Sequence, residues 1–416
     1  METTDKYERL IAAARDGTPA VTIVAHPCDE TSLRGALEAA GEALIEPVLV
    51  GPAAKIIAVA AEHGIDIAGR EIVDVPHSHA AAAEAVALIR AGKGELLMKG
   101  SLHTDELMRA VTASATGLRT ERRISHVFVM DVPGHPETLF ITDAAINIFP
   151  DLDTKRDIVQ NAIDLWTGIG MGVPKVAILS AVETVTTKIP STIEAAALCK
   201  MAERGQITGG LLDGPLAFDN AIDPEAARIK GIGGPVAGHG QILVVPDLEA
   251  GNMLAKNLTF LAHADAAGIV LGARVPIVLT SRADSVRTRL ASCAVAAIYA
   301  NARRQATAVP AACWTRSSSS TPGPRASSSR FSRSPAAASS GGFAARSTAS
   351  ASGRACAPPT ARARRSSTGA TPRPRCMTCP RPSPRPAPGS QRSKASRSAP
   401  SATASFTAAR SSTGRC

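Results

Sequence analysis

Short apolar runs alternate with amphipathic stretches along the first three-quarters of the chain. That is the pattern of a mostly parallel sheet covered by helices. Spacing predicts strands over residues 20–25, 47–50, 126–130, 139–143, 175–180, 242–245 and 276–279. It predicts helices over 33–40, 80–90, 105–112, 154–166, 192–204, 251–262 and 286–302. Gly-Pro and Gly-Gly pairs punctuate most of the joints. Ser191-Thr-Ile-Glu194 has the spacing of a capping box at a helix start. The expected fold class is α/β, with a body of residues 1–312 long enough for two domains.

Charge divides the same chain in two. The 416 residues carry 46 Lys and Arg against 36 Asp and Glu, a net of +10. The last 104 residues, 313–416, hold 18 of the basic residues and none of the acidic ones. The body is therefore acidic, with 28 basic against 36 acidic residues. The tail also lacks Ile, Leu and Val, and without branched aliphatics it cannot bury enough surface to offset its chain entropy. It is expected to be disordered.

Other classes fall away on composition. No run of 18 apolar residues offers a membrane span. The polar, amphipathic start is not a signal peptide. Cys28, Cys199 and Cys293 are scattered without metal-ligand spacing, which fits a reducing cytoplasm, and Cys199 and Cys293 lie in apolar stretches as small core residues do. Cys376 and Cys379 have CxxC spacing but no second pair. No metal site is expected. Gly168-Ile-Gly-Met-Gly172 ends a helix and precedes a strand, the reverse of the dinucleotide order, and reads as a helix C-cap. His26, His126 and His239 read as structural.

Three loops are richer in function-suited residues than packing requires. Lys99-Gly-Ser-Leu-His-Thr104 leads into a helix carrying Arg109. Pro246-Asp-Leu-Glu-Ala-Gly-Asn252 follows one predicted strand, and Thr280-Ser-Arg-Ala-Asp-Ser285 follows another, each opening a helix. Hydroxyls, an arginine and a helix N-terminus together make an anion site. An ordinary N-cap beside a surface arginine fits the same residues.

Several motifs add what spacing cannot. These are residues 126–130, Asp143-Ala-Ala-Ile-Asn-Ile148, Gln160-Asn-Ala-Ile-Asp164, Ser180-Ala-Val-Glu-Thr184, Lys188-Ile-Pro-Ser-Thr-Ile-Glu194 and Gly209-Gly-Leu-Leu-Asp-Gly-Pro215, with the 246–252 and 280–282 loops. Together they resemble the phosphate acetyltransferase and phosphate butyryltransferase family over nearly all of residues 21–304, in its short single-module form.

The resemblance implies two α/β domains flanking a cleft, like the isocitrate and isopropylmalate dehydrogenases. Residues 1–121 with 268–312 would form the first and 122–267 the second. It implies reversible acetyl transfer from acetyl-CoA to phosphate, giving acetyl phosphate and CoA. CoA is then a substrate, with no tightly bound cofactor, and the enzyme a homodimer. Butyryl transfer is the near alternative. Ser281 and Arg282 match the family's Ser-Arg pair, implying contact with phosphate or carbonyl and stabilisation of transition-state charge. Arg109 and Thr104 match an arginine-bearing helix, and Asp247 and Asn252 fall in a substrate loop. Where the family places an aspartate as base for the thiol, this chain has Thr288; Asp284 and Asp247 are the substitutes.

The tail reads coherently in another frame. If each true codon is one unknown base followed by the next residue's first two, residues 313–331 permit MLDTILVLNAGSSSIKFQV. Residues 400–416 permit AVGHRVVHGGPEFDRPV. Both strings, in order and in one frame, resemble acetate kinase, which consumes acetyl phosphate and is the expected pathway partner. A nucleic-acid-binding extension is the alternative for the tail. A metal-dependent decarboxylating dehydrogenase would share the expected fold, but its clustered aspartates and nucleotide loop are not identified here.

Overall fold

The computed structural model describes residues 6–279 and 284–308. The expected tail, and the calls on Ser281 and Arg282, lie outside them. In chain order the elements are α1 (Lys6–Arg15), β1 (Ala20–Ala25), α2 (Glu30–Gly41), β2 (Ile45–Gly51), α3 (Ala53–Glu62), β3 (Ile72–Asp74), α4 (Ser78–Arg90), β4 (Leu96–Lys99), α5 (Thr104–Thr112) and β5 (Ser125–Asp131). They continue with β6 (Leu139–Thr142), α6 (Leu152–Gly168), β7 (Lys175–Leu179), α7 (Pro190–Glu203), β8 (Leu211–Leu216), α8 (Phe218–Ile222), α9 (Pro224–Ile229), β9 (Ile242–Val244), α10 (Leu248–Leu261), β10 (Asp265–Leu271), β11 (Ile277–Val278) and α11 (Val286–Ala308).

The strands form one sheet in the order β3-β2-β1-β4-β11-β10-β5-β6-β9-β7-β8. The first five are mutually parallel, and so are the last four. Between these blocks β10 pairs antiparallel with both β11 and β5, and β5 antiparallel with β6. The expectation of parallel strands thus holds for each block, while the seam is antiparallel.

Register reveals a stagger. Val24 pairs with Met98, and Met98 with Val278, one residue short of the ends of β1 and β4 and at the end of β11. Across the seam Val127 pairs with Ile269 and Thr142, Thr142 with Val244, and Val244 with Ile178. The carboxyl ends of both blocks therefore fall at about one rung of the sheet. The first block lies on one side of it and the second on the other, and only β5 and β10 run through both.

Burial follows the same plan. One apolar cluster spans both blocks beneath α1, α6 and α11, with Phe140 and Trp166 fully buried at a centroid distance of 4.9 Å. A second cluster packs α4 and α5 on the first block, and a third packs the other face of the second block. Strands β3, β4, β8 and β10 escape sequence prediction: β3 and β4 are three and four residues long, and β8 is interrupted by Gly214-Pro215. The capping box is not made. Helix α7 starts at Pro190, which puts Ser191 inside it, where its hydroxyl meets Ser180 Oγ at 2.8 Å, while Glu194 pairs with Lys155. Gly168-Ile-Gly-Met-Gly172 does end α6, with Gly170 and Gly172 at φ of 82° and 81°.

Candidate functional site

The carboxyl edge of the first block is a knot around Ser101. Gly100 and Ser101 donate backbone N–H to Ala25 and His26 carbonyls at 2.9 and 2.8 Å. Only glycine fits at position 100, since a Cβ would lie 2.5 Å from both of those oxygens. His26 itself takes the left-handed conformation, φ 57°. Ser101 Oγ donates to the His26 carbonyl at 2.8 Å, so it accepts from His26 Nδ1 at 3.0 Å and from the Cys28 N–H at 3.3 Å. Burial, and then Lys55 nearby, push the imidazole below its ordinary value and keep it neutral.

Lys99, buried at the end of β4, donates to the Gly100 and Leu102 carbonyls at 3.2 and 3.3 Å. Thr104 opens α5 exposed to solvent, and Arg109 stands exposed one turn on, making no hydrogen bond or ion pair among the described residues. β11, the neighbour of β4, leads out toward residues 280–283. Beyond them the Asp284 carbonyl accepts from the buried Arg289 guanidinium at 2.6 Å. An edge with a lysine, an exposed arginine and hydroxyls can hold an anion.

The second block's edge is built from acids and amides. Asp143 follows β6; its Oδ1 accepts from the Ala145 and Ile146 N–H groups at 3.0 and 3.1 Å, and its Oδ2 from the Asn147 N–H and side-chain amide at 3.1 and 2.6 Å. Burial nonetheless raises its carboxyl above the usual range. Asn147 Nδ2 also donates to the Ile124 carbonyl at 2.9 Å, tying this loop to the start of β5. Asp247 caps α10 by accepting from Ala250 N–H at 2.9 Å. Asn252 donates to the Ala144 carbonyl at 3.3 Å, and Gly251 lets α10 approach, since a Cβ there would lie 2.7 Å from Val245. Farther along, Glu183 accepts from Asn220 and from Lys230 Nζ at 2.7 Å, and Lys230 holds its carboxyl below the usual range.

The predicted residues therefore divide. Thr104 and Arg109 belong to the first edge, Asp247 and Asn252 to the second, where they are engaged in local structure, and Asp284 lies just ahead of α11. Lys99 and the Ser101–His26 pairing are the polar features that sequence reasoning undervalued. The cue was present in Lys99-Gly-Ser, a charge and a glycine closing an apolar run, but β4 itself was too short to be recognised. No group of three or more His, Cys, Asp or Glu residues capable of holding a metal occurs among the described residues. Cys293 and Cys199 are buried or half-buried thiols pushed up to about 12 by desolvation, as core cysteines are.

Comparison with known proteins follows from this geometry. The model of the phosphate acetyl/butaryl transferase family matches residues 77–297. A phosphate acetyltransferase of Rhizobium meliloti is 84% identical over 301 residues, which is 72% of this chain and 95% of that protein. A phosphate butyryltransferase of Clostridium acetobutylicum is 42% identical over 294 residues, 71% of this chain and 98% of that protein. The crystal structure of a branched-chain phosphotransacylase from Enterococcus faecalis V583 superposes with a TM-score of 0.59 at 31% identity, covering 67% of this chain and 99% of that one.

Proposed function

The chain belongs to the phosphate acetyltransferase and butyryltransferase family, and from that premise we propose that it is a phosphate acetyltransferase, converting acetyl-CoA and phosphate to acetyl phosphate and CoA. The carrying observation is identity of 84% to an acetyltransferase against 42% to a butyryltransferase. The deciding assay follows phosphate-dependent CoA release from acetyl-CoA and butyryl-CoA. Acetyl-CoA should have the higher kcat/KM; a preference for butyryl-CoA overturns the acetyl reading.

The staggered blocks support a two-domain reading of the isocitrate dehydrogenase kind, divided as 1–121 with 268–312 against 122–267, with the reaction at the step between them. Such a site must hold the phosphate dianion, bring the thiol close to the carbonyl and stabilise the tetrahedral oxyanion. Ser281 and Arg282 take the charge-stabilising role. Thr104 and Arg109 assist on the anion, since an exposed arginine without a partner among the described residues can take one. Asp284 and Asp247 are the two substitute bases, and the Asp247 carboxylate also caps a helix. CoA enters as substrate.

The homodimer has its support on α10, where Met253 stands exposed two turns before the exposed neighbours Phe260 and Leu261. Among the described residues no helix is long and apolar enough to cross a membrane, in keeping with a cytoplasmic enzyme. Residues 313–416 are taken as an acetate kinase coding segment read off register. Intact mass of the natively expressed protein tests this: a product ending near residue 312 supports it, and a full-length functional tail defeats it.

A further inference from the structure

Helix α11 opens with two arginines that point opposite ways. Arg287 and Arg289 are two residues apart, about 200° around a helix, so they leave it on opposite faces. Arg287, half-buried, reaches Asp265 Oδ2 at 2.8 Å and lies over the Tyr7 ring, 3.7 Å from its centroid. Arg289 reaches inward. It is only 7% exposed, and its Nη2 donates to the Asp284 carbonyl at 2.6 Å. Its stem lies against α2 at Gly35, where a Cβ would stand 3.0 Å from Arg289 Cδ.

Packing alone does not require an arginine here. Cys293, Ala296 and Ala300 continue the same face of α11, and all three are buried and apolar. Burying a guanidinium forfeits its hydration, and an apolar side chain of similar volume usually packs without loss. What the apolar side chain cannot supply is a donor to a carbonyl, and a charge-assisted hydrogen bond is a strong one. The carbonyl that Arg289 reaches belongs to the residue two after Arg282. On the other side of that pair, Val278 is held by its pairing with Met98. Ser281 and Arg282 therefore fall, in the chain, between two fixed points. The helix start beyond them is itself secured, since Ser285 Oγ accepts from the Thr288 N–H at 3.1 Å.

We infer that Arg289 is a positioning residue for acyl transfer: by holding the chain at Asp284 it sets where Ser281 and Arg282 meet the substrate. This role rests on the charge stabilisation proposed above for that pair. A misplacement of about 1 Å near the reacting atoms can cost on the order of 10²-fold in rate. Arg289→Met fills the space without a donor and should lower kcat for CoA release by roughly that factor, with KM for acetyl-CoA and phosphate little changed. A cycle with Arg282→Ala decides the role. A group that acts by placing Arg282 loses most of its effect once that arginine is gone, so Arg289→Met should cost much less in the Arg282→Ala background. A merely structural arginine would give losses that multiply. Multiplying losses, or near-native kcat in a folded Arg289→Met, would overturn the inference. If the Met variant does not fold, Gly35→Ala decides instead, because it keeps the guanidinium, favours the helix and crowds the Arg289 stem. It should lower kcat while the melting temperature holds, and an unchanged kcat overturns the inference. Arg282→Ala alone separates the two roles. If it is costly while Arg289→Met is silent, only the positioning role falls; if it is silent, the charge-stabilising role falls and the positioning role with it.

Discussion

The two carboxyl edges that share one rung are furnished in opposite ways. On the first block Lys99 and Ser101 bind backbone carbonyls, and Arg109 projects into solvent with no partner among the described residues. On the second, Asp143, Asp247 and Asn252 are spent on their own loops and helix starts. A cation left unanswered is available to an anionic substrate, whereas a carboxylate acting as a helix cap is already committed. We propose from this contrast that the first edge binds the anion and the second shapes the step.

The strongest way to break this contrast is Arg282→Ala, at a position that follows β11 in the chain. Removing a transition-state charge contact should cost about 3–4 kcal/mol, or roughly 10²–10³ in kcat. Near-normal turnover of acetyl phosphate by a folded variant would defeat the charge-stabilising role proposed for Arg282.

Next in size is an acid effect at the seam that both blocks share. His126 on β5 is fully buried and pushed down to about 4 by desolvation. Its folded value lies below its unfolded value near 6.5, so protons favour the unfolded chain. The stability from keeping it neutral is complete above about pH 6.5 and is lost as pH falls toward 4, about 3 kcal/mol in all. Urea midpoints measured at pH 7 and 4.5 should converge partly in His126→Gln; an unchanged pH dependence would place the acid sensitivity elsewhere.

Smaller effects sharpen the assignment. Arg109→Ala should raise the KM for phosphate by about tenfold, near 1.4 kcal/mol, with the melting temperature unchanged. A shift in kcat alone would mean that the arginine acts on the transition state and not on binding. Asp247→Ala should lower stability by about 1 kcal/mol, the worth of an N-cap, while kcat and its pH profile hold. Loss of the acidic limb of that profile would instead restore Asp247 as the thiol base.

How far the sequence carried this picture depended on how local each cause was. Seven strands and seven helices were legible because hydrophobic period and length agree in them. The Gly168–Gly172 turn was legible because two glycines with positive φ follow the helix end. Strand β10 was missed because Asp265-Ala-Ala-Gly opens it, and its pairing with β5 and β11 is what makes it a strand. The capping box failed for a related reason: Lys155, from α6, claims Glu194, a contact no spacing rule contains. Family likeness supplied Ser281 and Arg282.

Strand order also sets an order of assembly. β10 and β11 lie between β4 and β5, yet the chain reaches them only at residues 265–278, after every strand of the second block. A chain emerging from the ribosome can pair β6, β9, β7 and β8 while β4 still waits with an open edge. The half whose strands are made first is therefore completed last. Truncation ahead of residue 277 would leave that half exposing a bare strand to its neighbours, with aggregation the expected fate.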